Sequence, residues 1–155
     1  MSIKKRYIQL AAVALSSVTF TAFGGTNSEL LVGNWQCGYS MDMEGITMDL
    51  DMSVSYEKNS TSSASARIDL VNPMMAMDLA YQVEASGTWY IEGNTIYETL
   101  TKGHFESLKP SPYDALMSED DLMPFGVEQS STIVELTSEK LIMTTGDIAI
   151  NCTRN

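Results

Sequence analysis

Few residues in this chain could do covalent chemistry. The single histidine, His104, stands beside Phe105. A catalytic base needs a nucleophile and an orienting acid, and no protease or nucleophile-elbow motif supplies them. His104 therefore reads as a surface or rim residue. One histidine and two cysteines leave almost no room for a zinc site built of those types. Asp49 and Asp51, and Glu119-Asp120-Asp121, have the charge but not the spacing of a calcium loop, so they read as solvated acidic surface. Thioethers are abundant, in Met41-x-Met43, Met48 and Met52, and Met74-Met75-x-Met77. Soft ligands of this kind select Cu(I). Met48, Met52 and Met77 fall on apolar faces, however, where methionine serves as a flexible lining of a core or cavity. The expectation is a non-enzyme with no catalytic residue, no cofactor and no metal.

The two cysteines, Cys37 and Cys152, lie near the two ends of the part that should fold. In an oxidising compartment they should form a disulfide. Trp35, Cys37, Tyr39 and Met41 share one face of an extended segment, and Ile148, Ile150 and Cys152 share one face of another. Both have the period-2 pattern of half-buried strands. Placing Cys37 opposite Cys152 in an antiparallel pair sets Trp35 against Arg154, Tyr39 against Ile150 and Met41 against Ile148. Apolar residues then meet apolar partners, and Trp35 gains a cation over its ring. A first strand paired with the last closes a sheet into a barrel.

Composition fits an exported protein. The 155 residues carry 20 Asp+Glu against 9 Lys+Arg, for a net charge of −11. Such an excess argues against nucleic acid and anionic membranes as partners. Residues 1–24 read as a signal peptide: Lys4, Lys5 and Arg6 precede an apolar run from Ile8 to Phe23, and Ala22-Phe23-Gly24 offers a cleavage site. Removing them takes the charge from −11 to −14, since three basic and no acidic residues leave. Residues 25–155 then form one domain, located in the periplasm or secreted, with no membrane span. Alternation recurs at 48–56, 64–70, 77–91, 96–105, 131–137, 140–143 and 148–153, with turn signals at Lys58-Asn59-Ser60, Asn72-Pro73, Gly93-Asn94 and Thr145-Gly146-Asp147. Residues 109–127 break the pattern, as a loop with a short helical insertion near 112–123. About eight strands in meander order predict an all-β, antiparallel up-and-down barrel.

Leu31-Val32-Gly33-Asn34-Trp35 resembles the Gly-x-Trp opening of lipocalin-like (calycin) barrels. In that superfamily the Trp plugs one barrel end and a basic residue of the last strand packs across it. Gly33, Trp35 and Arg154 match those positions. Ser86 to Ile96 and Leu136 to Leu141 also look like segments of small exported bacterial domains of this type. The resemblance implies a fold and, weakly, a small hydrophobic ligand in the barrel mouth, lined by Met48, Met52, Met77, Tyr81 and Trp89. A second resemblance is to periplasmic inhibitors of c-type lysozyme. Those carry a Ser-Gly-x-x-Tyr segment followed by a Lys-Gly loop, matched here by Ser86-Gly87-Thr88-Trp89-Tyr90 and Lys102-Gly103. By that likeness Ser86 and Lys102 would enter the cleft of a cationic enzyme, although the stretch from Gly103 to Cys152 is longer than in those inhibitors.

The expected function is a monomeric binding protein for a small hydrophobic molecule. The alternatives are a module that binds a cationic protein, such as a lysozyme inhibitor, and a filled barrel with a structural role only.

Overall fold

Alternating apolar and polar residues carry the chain into eight strands. They are β1 (Gly33–Met43), β2 (Ile46–Tyr56), β3 (Thr61–Asn72), β4 (Met77–Glu92), β5 (Thr95–Ser107), β6 (Glu128–Leu136), β7 (Lys140–Thr145) and β8 (Ile148–Arg154). The structure is a computed structural model that describes residues 28–116 and 123–155. The expected signal peptide, 1–24, lies outside those residues. Each strand pairs antiparallel with its sequence neighbour, and β1 pairs with β8, so the sheet closes into an up-and-down barrel.

The disulfide and register expectation holds where the two end strands meet. Cys37 is bonded to Cys152, and Trp35 lies opposite Arg154. The ladder stops at Gly38↔Asn151, so the expected pairs Tyr39–Ile150 and Met41–Ile148 are not part of it. The reason is strand length. β2, β3 and β4 run for 11, 12 and 16 residues, whereas β7 and β8 run for 6 and 7. β8 itself reaches back to Ile148, still paired with β7, so beyond Gly38↔Asn151 β1 follows the longer β2 and parts from β8. β5 does the same, pairing with β6 only over Thr95–Thr99. The barrel is closed at one end and splayed at the other.

The closed end holds the core. Trp35, Cys37, Val54, Tyr56, Trp89, Ile96, Ile133, Leu141, Met143 and Cys152 pack together there. A one-turn helix, α1 (Ser28–Leu31), covers this end and buries Leu31. The Trp35 indole donates to the Leu31 carbonyl at 2.7 Å, and the Arg154 guanidinium sits 4.2 Å over the Trp35 ring. Arg154 also donates to the carbonyls of Leu30, Val32 and Ser138. Gly33 has a reason to be glycine: its φ is +137°, and a Cβ there would overlap the guanidinium.

The segment between β5 and β6 was expected to bear a short helix. Its described part holds a short 3-10 helix, Pro112–Leu116. Pro112 opens the turn with a preset φ, and residues 117–122 of the expected insertion lie outside the described residues.

Candidate functional site

Strand register arranges the inward side chains of the splayed end in rows. One row runs Tyr39, Leu50, Ile68, Tyr81, and the next Met41, Met48, Leu70, Leu79. Tyr81 and Leu79 are buried, while Tyr39, Met41, Met48, Leu50, Ile68 and Leu70 are only half-buried. Six inward-facing apolar side chains thus keep access to solvent, in contrast to the packed end. Met77 joins them at the rim, half-buried at the start of β4.

The five residues expected to line the mouth divide between the two ends. Met48, Met77 and Tyr81 stand at the open end. Trp89 does not: it lies in the packed core, edge-on to Tyr56 at 5.4 Å, with its indole N–H donating to the Thr61 carbonyl at 3.0 Å. Met52 packs against the same core. Period 2 put all five on one face correctly, but it carries no information on depth along the barrel axis.

Residues 108–116 and 123–127 cover part of the mouth. The Leu108 amide donates to the Ala80 carbonyl at 2.7 Å, and Lys109 pairs with Asp78 at 2.7 Å. Asp114 is the central latch. It accepts from the Tyr81 hydroxyl at 2.9 Å, the Ser107 hydroxyl at 3.0 Å and the Ser111 amide at 2.8 Å. The Ser111 amide, helped by the two hydroxyls, holds the Asp114 carboxyl below the usual carboxylate range. Burial, reinforced by the neighbouring Asp114, pushes the Tyr81 phenol up to about 12. Further along, the Gly126 amide donates to the Leu100 carbonyl at 2.9 Å and Met123 is buried. Met123 and Phe125 approach Gly103 so closely that a Cβ there would strike both.

A concavity of about 750 Å³ lies on the outer face of β1–β5. Two transverse rows of outward side chains cross it: Asn34, Ser55, Ser63, Ser86, Lys102 and Ser53, Ser65, Glu84, His104. Ser86 and Lys102, expected as a pair, are directly opposite each other beside a bulge in the β4–β5 ladder. Lys102 has no ion-pair partner among the described residues, whereas Arg67, Lys109 and Lys140 each pair with a carboxylate. His104 is exposed, as expected for a rim residue.

The sequence reading missed three features. The Asp114 latch has no periodicity to announce it. The serine rows were visible as polar positions of alternating strands, but their convergence depends on curvature. Glu98 faces inward next to Tyr56 in the packed end; burial raises its carboxyl pKa, and the Tyr56 hydroxyl partly opposes this. Among the described residues no cluster of three His, Cys, Asp or Glu side chains could hold a metal ion. No described helix is long and apolar enough to cross a membrane. No protein-family model matches the chain, and no curated protein matches its sequence.

Proposed function

We propose that this chain is an exported, lipocalin-like binding protein that holds a small hydrophobic molecule in the open end of the barrel. The ligand would lie between the Met48, Ile68 and Leu70 wall and residues 108–116 and 123–127. One observation carries the reading: six inward-facing apolar side chains at this end stay half-buried, whereas Trp35, Val54, Tyr56, Trp89, Ile96, Ile133 and Leu141 are buried at the other. Apolar surface facing a concavity gains about 25 cal/mol per Å² when a ligand removes it from water. Methionine suits such a wall, because its flexible thioether stem repacks around different shapes. Export and an oxidising compartment fit the Cys37–Cys152 bond.

The test is native mass spectrometry of the protein from its own compartment, followed by titration with an apolar fluorescent probe. A discrete lipid-sized added mass, or saturable probe binding lost in Leu70→Asp, is the expected result. A bare polypeptide that takes no probe overturns the reading.

A second reading rests on the outer groove. Ser86 and Lys102 stand side by side there, and Lys102 has no ion-pair partner among the described residues of a strongly acidic chain. This suits a protein partner with an acidic cleft on a cationic body, such as a c-type lysozyme. Inhibition of such an enzyme, lost in Lys102→Glu, is the expected outcome for this reading; no inhibition at any ratio removes it.

A further inference from the structure

The methionines are unevenly placed. Met41, Met43, Met48, Met74, Met75 and Met77 all lie on the β1–β2 hairpin or around the β3–β4 turn, at the open end. Three of them share one face of one hairpin. Met41 and Met48 are direct cross-strand partners, and Met43 follows Met41 by two residues, so all three belong to the inward-facing set. Opposed residues in an antiparallel pair lie about 4.5–5.5 Å apart at Cα, and residues two apart on a strand about 6.5–7 Å. Methionine has three rotatable bonds, so three thioethers anchored at these spacings can reach a common point.

The hairpin is a defined platform. Its two-residue turn has Glu44 at φ 53° and Gly45 at φ 84°, as a type I′ turn requires. The Asp42 carboxylate braces it by accepting from the Gly45 amide at 3.3 Å and the Thr47 hydroxyl at 3.4 Å. The thioethers are accessible: Met43 is 52% exposed, and Met41 and Met48 are half-buried. Residues 41–48 include Asp42 and Glu44 and no basic residue, which raises the local concentration of cations. Both cysteines are consumed in the disulfide, so thioethers are the soft donors this end offers.

We propose that Met41, Met43 and Met48 form a three-thioether site for Cu(I) on the inward face of the β1–β2 hairpin. Thioether sulfur is a soft ligand and selects this ion over hard divalent cations. Binding needs no redox step and no proton release, since thioethers carry no proton. The copper site does not need a hydrophobic ligand, although it shares Met48 with the wall proposed for one.

Met→Leu substitution separates the two, because leucine nearly conserves volume and apolarity while removing the donor sulfur. The purified chain, with its disulfide confirmed intact by mass, is titrated anaerobically with the Cu(I)–ferrozine complex in ascorbate. The wild type should withdraw one equivalent of Cu(I). Met41→Leu, Met43→Leu and Met48→Leu combined should abolish this with the melting temperature unchanged, and Met74→Leu with Met75→Leu should not. X-ray absorption of the loaded protein should show a first shell of sulfur. A wild type that takes no copper, a triple variant that retains it, or loss through Met74 and Met75 instead would overturn the proposal. Apolar-probe binding, measured on the wild type and on Leu70→Asp, which leaves the three thioethers in place, reports separately on the hydrophobic-ligand reading.

Discussion

The two ends of this barrel are built from the same eight strands and differ in how they are finished. At the closed end Trp35, Tyr56, Trp89 and Leu141 interlock, the disulfide crosses β1 to β8, and Arg154 ties α1 to the last strand through the Leu30 carbonyl. At the open end β6–β8 stop short, and the inward face of β1–β4 meets solvent and an irregular covering segment. Closure supplies stability, and the incomplete half supplies a surface. A barrel packed equally at both ends would have no room for a ligand.

The largest expected effect is at the closed end. Replacing Cys37 and Cys152 by Ala should cost about 4 kcal/mol, since the bond spans 115 residues of chain. Chemical denaturation of the oxidised and substituted proteins measures this. Trp35→Ala should cost about 3–5 kcal/mol through the cavity it leaves. Met48→Ala, half-exposed at the open end, should cost well under half as much. Equal losses at the two positions would break the comparison.

Glu98 is the exception within the packed end. Its raised carboxyl pKa means that the neutral form favours the fold. That contribution is fully present below the unfolded value and is lost as pH rises through the folded one. Glu98→Gln should therefore raise the melting temperature at neutral pH and leave it nearly unchanged at pH 4.

The latch at the mouth behaves in the opposite sense. Asp114 has a depressed pKa, so its contribution is present above the unfolded value of about 3.9 and is lost as pH falls through the lower folded value. Amide exchange across 108–116 should accelerate in that acid window, and in Asp114→Ala at every pH, with the global melting transition little changed. Tyr81 adds a second window: its contribution is fully present below about 10 and is lost as pH rises through about 12, where the hydroxyl gives up its proton. The smallest effect belongs to the exposed Lys140–Glu135 pair, where Lys140→Ala should change stability by less than about 1 kcal/mol.

Much of this was legible in the chain before any coordinates. Alternation marked the strands, and the disulfide with its neighbouring pattern specified the β1–β8 register around Cys37 and Cys152. The extension of that register to Tyr39 and Met41 failed because nothing in a period-2 pattern says where a ladder ends. Trp89 and Met48 looked equivalent for the same reason: both face inward, at opposite ends of the barrel. Ser86 and Lys102 were expected together and are neighbours, whereas the serine rows beside them went unread.

The sequence by itself determined strand identity, facing and the covalent closure of the ends. These follow from local backbone geometry and from the position of two cysteines. Only the tertiary structure decided which inward residues are packed and which face solvent, and that Asp114 would reach Tyr81 across 33 residues of chain. Depth, curvature and the mismatch of strand lengths are properties of the assembled sheet, and no local pattern encodes them.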